Sequence, residues 1–576
     1  MKKKNKIIII ITSLMLLAGC DYLDEKPYDW AQPEDVFTAE NNYIRAINQT
    51  YSYIKGGYNR VYGAYLDAAT DDGMCTATTS SIHRLSRGFA TSYFYIEGCW
   101  NSSYQGIRQA LFVQENLKDQ KLVLNNKTDE EVDQIKSVYS GEMYALRALF
   151  EFDLLRHYGG YPIIDKCYTL GDPELESKTR DPFESCVEHI VNLCDSAAKY
   201  LDVEPMGGTG AYGRMTKGMA LAIKAKTLVY SASPLFNIPG NSDPLTGHPD
   251  TSPLVIQSRW ELAARACADV INLKKANGTN KYTLYNNYEK LFVTCPNDEY
   301  IVFVSAEKSN SLENSQYPPT LSNNSGGGTV PTQEFVDAFT LSSGLTYTRG
   351  NAATQYTGRD PRLGVIVGYN GSTYGKMSKI STKTGDGATL DGLNMVMDRS
   401  TNTGYYLRKF LDVNVNFKVA NPATTFHLFP IIRLADIMLL YAEAMNEAYG
   451  PDTDPAGYGL TARTAIQRIR ARAGFTTDQY LTGVVTKEQM LQKIKNERRI
   501  ELAFEEQRYF DLRRWMEGEK LNRPVTGIRI EDNAGSLAYS YFEVDNQRKF
   551  DTKMYLHPIP LTEIKISPRL TQNPGW

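Results

Sequence analysis

The residue types that most often carry out catalysis are scattered along this sequence. Histidine occurs six times, and no two histidines have the HxxxH or HExxH spacing that binds zinc from one helix. The chain also has no G-x-S-x-G nucleophile elbow and no P-loop lysine. We therefore expect no catalytic residues, no cofactor and no metal ligands. The histidines are His83, His157, His189, His248, His427 and His557.

Two other patterns invite a chemical interpretation. Residues 208–213 (GTGAYG) fit the dinucleotide-binding pattern G-x-G-x-x-G, but they follow a predicted helix and no βαβ unit surrounds them, so we interpret them as a flexible loop. Asp71 and Asp72 are adjacent carboxylates in a long polar segment. Among 66 acidic residues such a pair does not identify a glycosidase, and we expect it to bind ligand rather than to catalyse.

Cys20 indicates where the protein resides. Lysines fill four of the positions 2–6, residues 7–18 are apolar and uncharged, and Leu17–Cys20 (LAGC) ends the run. This is a secretory signal peptide over residues 1–19 with a bacterial lipobox, so Cys20 is the predicted lipidation site and the first residue of the mature chain. Several acyl chains would anchor it firmly. The alternative is an uncleaved membrane anchor with a chance cysteine.

Composition narrows the possible partners. The net charge of −3 becomes −7 when the four signal-peptide lysines are removed, which disfavours nucleic acid. Tyrosine is abundant, with 38 residues against 21 Phe and 5 Trp, and its ring with a polar tip suits sugars, although it also replaces Phe at half-buried helix positions. The seven other cysteines form no CxxC pattern and are predicted to be buried free thiols, with Cys186 and Cys194 facing a core.

Helical signals dominate the two ends of the mature chain. Capping boxes at Thr128–Glu131, Ser258–Glu261 and Thr486–Gln489 predict helices running toward His157, Leu273 and Glu517. Repeated helix pairs with short connections favour a mostly α fold of the tetratricopeptide type, although no strict 34-residue repeat is present. The last helix alternates Glu and Arg, which predicts a salt-bridged structural helix.

The remaining segments are irregular. Residues 67–99 have no sustained period, and residues 300–430 combine one short strand with Gly- and Ser-rich loops. We predict an acidic tether over 20–36 and one domain over 37–576. Its helix-pair scaffold would lie mainly in 37–273 and 430–517, and its loop-rich binding part mainly in 274–429. Long loops in compact domains are usually functional.

Several stretches of the sequence together identify a family. In the N-terminal half these are Trp100-x-x-x-Tyr104-x-x-Ile107, GEMYALRALFEFDLLRHYGGYPII (141–164) and GRMTKGMALAIKAKTLVY (213–230). In the C-terminal half they are FPIIRLADIMLLYAEAMNE (429–447), AIQRIRARAG (465–474), IKNERRIELAFEEQRYFDLRRW (494–515) and QNPGW (572–576). These stretches resemble the SusD/RagB family of outer-membrane lipoproteins from Bacteroidetes, and the resemblance covers essentially the whole mature chain.

The resemblance implies a fold and a function. The fold would be four tetratricopeptide-like helix pairs supporting a loop-built binding face. The protein would have no enzymatic activity and would act as a lid on a SusC-like TonB-dependent β-barrel, to which it delivers a glycan. Acidic residues after Cys20 resemble the signal that sends such lipoproteins to the cell surface. Peptide cargo, and a secreted hydrolase on a helical scaffold, are the alternatives.

Family members build their sites from loops like those at 67–101 and 310–330 here. Ring faces for stacking on sugar would come from Trp100 or Tyr95 and from Tyr317, which stands beside Pro318–Pro319 without a periodic partner. Polar contacts to hydroxyls would come from Asp71, Asp72, Arg84 and Asn101. Trp100 also belongs to the recurrent Trp-x-x-x-Tyr pattern, which equally fits a helix-packing residue.

Overall fold

The computed structural model describes residues 40–119, 124, 127–169 and 171–576, so Cys20 and the tether over 20–36 lie outside the described residues. Helices dominate the first half of the described chain. They are α1 (Glu40–Tyr51), α2 (Ile82–Ser86), α3 (Trp100–Asp119), α4 (Asp129–Tyr158), α5 (Pro173–Ser177), α6 (Phe183–Tyr200), α7 (Lys217–Ala232) and α8 (Pro253–Ile271). The predicted mostly helical fold is confirmed.

The second half alternates short helices with loops before long helices return. Its helices are α9 (Ser311–Gln316), α10 (Gln333–Ala338), α11 (Leu363–Ile366), α12 (Leu434–Tyr449), α13 (Ala462–Arg472), α14 (Lys487–Glu501), α15 (Gln507–Arg514) and α16 (Leu561–Ile566). The strands are β1 (Gly73–Cys75), β2 (Tyr300–Ser305), β3 (Thr329–Pro331), β4 (Val367–Gly368), β5 (Thr384–Gly385), β6 (Tyr406–Leu407), β7 (Leu428–Arg433), β8 (Val525–Asn533) and β9 (Ser536–Asp545).

The strands form small sheets that tie loops together. β1 pairs antiparallel with β3, β2 with β7, β4 with β6 and β8 with β9, and β5 adds a parallel edge to β8. The β1–β3 pair places Met74 opposite Val330. It therefore joins the loop before α3 to the loop after α9, two segments that the sequence predicts to share one face.

Neighbouring helices pack in pairs and build the scaffold. α3 packs on α4, α4 on α6, α6 on α7, and α7 on α8, which in turn contacts α12. On α6 the buried residues Cys186, Ile190, Leu193 and Ala197 recur at helical spacing, which makes one apolar stripe. Most of the buried hydrophobic residues between Tyr43 and Leu570 form one large cluster, and a small second cluster consists of Leu512, Leu521, Phe550 and Met554. We therefore propose a single domain.

Local sequence signals correctly predict the first residues of two helices. The capping boxes of Thr128 with Glu131 and of Thr486 with Gln489 are both present, at the starts of α4 and α14. The third predicted cap is wrong. Ser258 lies inside α8, where its hydroxyl donates to the Val255 carbonyl at 2.8 Å, because the helix begins one and a half turns earlier at Pro253.

The helix predicted to run to Glu517 is broken. α14 ends at Glu501, and Phe504 and Glu506 adopt positive φ angles of 59° and 61° before α15 begins. The stretch is salt-bridged, as predicted, but its glutamates do not pair with the neighbouring Arg498, Arg499 and Arg508, which contact aspartates elsewhere. The glutamates of this stretch are buried against arginines from distant loops and helices, and paired charges are the only ones that a core tolerates. The pairs include Glu497 with Arg362 and Arg470, Glu501 with Arg433 and Arg472, and Glu505 with Lys409.

The cysteines and the glycine motif are placed as follows. Five of the seven described cysteines are buried and free, Cys186 and Cys194 among them, as predicted. Cys295 is exposed and Cys167 is half-buried, which corrects the prediction for these two. The G-x-G-x-x-G match begins with a 3-10 turn at Gly208–Ala211 between α6 and α7, as expected of a loop.

Candidate ligand-binding site

Asp71 and Asp72 hold the loop before α3 to the buried ionic layer, by which we mean the buried ion pairs made by the charged side chains between Glu497 and Arg508. Arg508 donates to both Asp71 oxygens at 3.0 and 2.9 Å, and Arg499 donates to Asp72 at 2.5 Å. Burial raises the pKa of Asp72 to about 6. Burial also opposes ionisation of Asp71, but Arg499 and Arg508 outweigh it and lower the pKa of that carboxyl. Both carboxylates therefore have internal partners, which favours a structural role over the predicted contact with ligand.

Tyr317 and Arg84 lie apart from one another. Tyr317 is 0% exposed, its hydroxyl donates to the Asp412 carbonyl at 2.7 Å, and its ring meets the edges of Tyr374 and Phe417. A ring enclosed in this way presents no face to a sugar, so the structure argues against the predicted stacking role. Arg84 is exposed on α2, outside the cleft described next.

Three of the predicted residues, Tyr95, Trp100 and Asn101, line one cleft of about 480 Å³ in front of the N-terminus of α3. We call it the aromatic cleft. Its complete lining is Ser92, Tyr93, Phe94, Tyr95, Ile96, Gly98, Cys99, Trp100, Asn101, Ser102, Gln105, Tyr158, Pro558 and Pro560. The structure thus groups three of the seven candidates and separates them from Asp71, Asp72, Arg84 and Tyr317.

A tight turn presents two rings at the mouth of the aromatic cleft. The backbones of Thr91 and Phe94 exchange two hydrogen bonds of 3.2 Å, and the Ser92 carbonyl accepts from the Leu561 amide at 2.9 Å. Tyr93 lies in this turn and is 79% exposed, and Phe94 is 41% exposed. Because the turn is bonded on both sides, these rings are presented by a fixed backbone.

The floor of the cleft is packed aromatic side chains. The Tyr158 hydroxyl accepts hydrogen bonds from the amides of Cys99 and Trp100 at 3.2 and 3.3 Å. Trp100 is only 5% exposed, and its ring contacts those of Tyr104 and Tyr158 at 5.0 and 5.2 Å. The helix-packing alternative for Trp100 therefore fits the structure better than stacking on ligand.

Tyr95 is held more deeply than its position in a loop suggests. Its ring centroid is 4.4 Å from that of His557, and its hydroxyl is 3.2 Å from the Tyr509 hydroxyl. Burial raises the pKa of the Tyr95 phenol, so the group is neutral at physiological pH. Tyr95 supports the wall of the cleft and offers part of one face.

A buried ionic contact fixes the backbone behind the cleft. Lys55 donates to the Glu97 carboxylate at 2.8 Å and to the Gly98 carbonyl at 2.7 Å, and Arg60 donates to Glu97 at 2.9 Å. Burial alone would raise the pKa of Glu97, but Arg60 and Lys55 outweigh it and lower that pKa well below its usual range. Glu97 is therefore ionised, and its charge is balanced by its two partners.

Two amides complete the cleft from the first turns of α3. Asn101 and Gln105 are four residues apart, which places them on the same face of the helix. Both are exposed, and neither side chain is engaged with another described residue. A primary amide both donates and accepts hydrogen bonds, so the pair can bind neighbouring hydroxyls.

The arrangement suits a ligand with apolar faces and many hydroxyls. Exposed rings at Tyr93 and Phe94 line the same cleft as the amides of Asn101 and Gln105. Ring faces cover C–H patches while amides bind hydroxyls, and a sugar offers both. The sequence prediction missed Tyr93, Phe94 and Gln105. The run Tyr93-Phe94-Tyr95 within a polar loop, and the spacing of Asn101 and Gln105, were the available signals.

The described residues also bear on metal binding and on membrane insertion. No group of three or more His, Cys, Asp or Glu side chains in the described ranges is arranged to hold a metal ion. Within those same ranges, no helix combines the length and the apolar character needed to cross a membrane.

Comparison with known proteins gives a consistent picture. Residues 297–576 match the SusD family model, and residues 21–228 match a SusD-like family described as "Starch-binding associating with outer membrane". SusD-like protein P2 of Formosa agariphila is 22% identical over the full length of both chains. A SusD-like protein structure from Bacteroides fragilis NCTC 9343 is 25% identical, with a TM-score of 0.74 over 95% of this chain and 100% of that one. A SusD-like carbohydrate-binding protein from the same organism is 20% identical, with a TM-score of 0.72 over 93% and 100%.

Proposed function

The chain belongs to the SusD/RagB family, and on this premise we propose that it is a non-catalytic glycan-binding lipoprotein of the bacterial outer membrane. Lipid on Cys20 would anchor it, and the acidic residues that follow would direct it to the cell surface. The matching family description associates the family with starch binding and the outer membrane. Solved relatives with this fold include a protein described as carbohydrate-binding.

The observation that carries the proposal is the aromatic cleft. Tyr93 and Phe94 expose ring surface that is not covered by the rest of the described chain, and Asn101 and Gln105 present unengaged amides beside it. Leaving large rings exposed at a hydrogen-bonded turn has no benefit for folding, whereas it provides a ready surface for a sugar ring. The rigid backbone means that little entropy is lost on binding.

Delivery to a transporter is the second part of the proposal. We propose that the protein covers a SusC-like TonB-dependent β-barrel and passes the glycan to it. Family membership supports this partner. The test is co-purification of the detergent-solubilised lipoprotein from outer membranes. A β-barrel transporter should be recovered with it in stoichiometric amount, and recovery of the lipoprotein alone would contradict this part.

The glycan-binding part is tested with the full-length lipoprotein in detergent, screened against immobilised polysaccharides and peptides. A polysaccharide should be retained, and isothermal titration should then show binding without release of shorter products. Tyr93→Ala should weaken that binding about tenfold, since one stacked ring contributes roughly 1–2 kcal/mol. Tyr62→Ala is the matched control, because Tyr62 is also an exposed tyrosine but lies outside the cleft. Retention of peptides only would contradict the glycan proposal.

A further inference from the structure

The charge character of the aromatic cleft restricts what it can bind. Among the described residues, every side chain that lines it is apolar, hydroxyl-bearing, thiol or amide, and none is Lys, Arg, Asp, Glu or His. This is unusual for a protein in which charged residues are 22% of the sequence. The Tyr95 phenol and the Cys99 thiol do not ionise there either, because burial raises the pKa of Tyr95 and raises that of Cys99 to about 12.

The charged side chains behind the cleft are already engaged within the protein. Lys55 reaches the Gly98 carbonyl, but its ammonium group also pairs with Glu97, which is 1% exposed. Arg60 pairs with Glu97 and with Glu506. Arg513 lies next to the Tyr95 hydroxyl, but it is only 3% exposed and its guanidinium donates to two backbone carbonyls. A ligand carboxylate or sulfate in the cleft would therefore find no free cation. Removing such an anion from water without a partner is costly.

The rings add a second restriction. The face of an aromatic ring carries negative electrostatic potential, so Tyr93 and Phe94 repel an anion that approaches their faces. A neutral sugar places C–H groups there instead. The amides of Asn101 and Gln105 bind hydroxyls as donors and acceptors, but they provide no net charge for an acidic group.

We infer that the aromatic cleft is built for a neutral glycan and discriminates against acidic ones such as uronates and sulfated sugars. This inference rests on the proposed function and narrows its ligand class. An amino sugar would find no carboxylate partner for its ammonium group there, because no Asp or Glu lines the cleft.

The test compares matched oligosaccharides by isothermal titration with the full-length lipoprotein in detergent. Neutral hexamers of glucose, mannose and xylose in their common linkages are set against hexamers of galacturonate and mannuronate, a chondroitin sulfate hexasaccharide and a glucosamine hexamer. At least one neutral hexamer should bind at least about tenfold more tightly than every charged one. Its affinity should stay constant between about 50 and 500 mM NaCl, since no ion pair contributes.

A variant that adds charge provides the complementary test. Gln105→Lys changes an exposed side chain, so folding should be unaffected. The variant should bind the acidic hexamers about two- to fivefold more tightly than the wild type does. Its affinity for the neutral hexamer should decrease only because the Gln105 amide is lost.

The outcomes separate the two claims. Acidic hexamers that bind the wild type as tightly as the neutral ones, and lose that binding in Tyr93→Ala, would overturn the inference and leave the proposed glycan binding intact. Tighter binding of the glucosamine hexamer than of every neutral hexamer would also overturn the inference and leave the proposed glycan binding intact. No binding of any sugar in a screen that includes polysaccharides would overturn the proposed function, and the inference with it.

Discussion

Replacing Glu501 by Gln tests whether the buried ionic layer stabilises the fold. One carboxylate oxygen of Glu501 accepts from Arg433 at 2.8 Å and from Arg472, and the other accepts from Arg362 at 2.9 Å. All four side chains are almost completely buried. Gln retains the shape but has one acceptor, so at least one guanidinium loses its bond and all three lose a full negative charge.

The expected cost follows from these contacts. Removing one partner from a buried ion pair typically destabilises a protein by about 3–5 kcal/mol, because the remaining charge stays buried. Other carboxylates still contact the three arginines, including Glu299, Glu497 and Asp360, so the low end of the range is expected. We therefore predict that Glu501→Gln lowers the free energy of unfolding by about 3 kcal/mol.

Equilibrium unfolding in urea measures this change without adding salt. Glu488→Gln is the matched control, since Glu488 is exposed in the first turn of the same helix, α14. It should cost less than about 1 kcal/mol, mostly from the interaction with the helix dipole. A urea midpoint for Glu501→Gln equal to that of Glu488→Gln would refute the reasoning that the layer is stabilising.

The contribution of Glu501 to the free energy of unfolding should decrease at low pH. Burial opposes ionisation of Glu501, but Arg472, Arg433 and Arg362 outweigh it and lower its pKa in the folded state. The unfolded value is about 4.3, so the contribution is fully present above that pH and is lost as the pH falls toward the folded pKa. The stability gap between wild type and Glu501→Gln should be constant from about pH 8 to pH 5 and should shrink below about pH 4.

Three further predictions concern single side chains. Cys20→Ala should abolish labelling by fatty acid and release the protein from outer membranes, and a mutant that still labels and sediments with membranes would contradict the lipobox. Phe504→Ala removes a fully buried ring that packs against Phe335, so it should cost about 3–5 kcal/mol in urea unfolding while the folded fraction binds glycan normally; a stable variant without binding would count against this. Tyr317→Phe should cost about 1–2 kcal/mol, since the Asp412 carbonyl loses its donor, and should leave glycan affinity unchanged in titration; a loss of affinity at unchanged stability would return Tyr317 to the site.

The helix ends show which part of the fold is readable from sequence. The capping boxes at Thr128 and Thr486 act over three residues, so their sequence pattern is sufficient. The similar pattern at Ser258 is misleading because Pro253 already begins the helix upstream. The break after Glu501 has no local signal, since neither Gly nor Pro occurs at Leu502–Glu506. Tertiary contacts impose it, such as the Glu506 amide donating to Asp67 at 3.0 Å.

In the candidate site, contacts between residues far apart in the sequence decide even more of the structure. Asp71 and Asp72 are polar and lie in a loop, but their arginine partners are 437 and 427 residues further along the chain. Tyr317 has no periodic partner in its own segment, and its burial comes from residues 374, 412 and 417. Residue type and spacing identified the loop that forms the aromatic cleft. Residue type and spacing do not show, however, that the Tyr93 ring is exposed while the Trp100 ring is buried.

A crystal structure of the lipoprotein with the neutral oligosaccharide that it binds most tightly tests the central claim most directly. The account predicts a sugar ring stacked on Tyr93, with hydroxyls within hydrogen-bond distance of the Asn101 and Gln105 amides and no charged side chain in contact. Sugar bound at another surface, such as the loops around Tyr62 or Arg84, with the aromatic cleft empty, would contradict it.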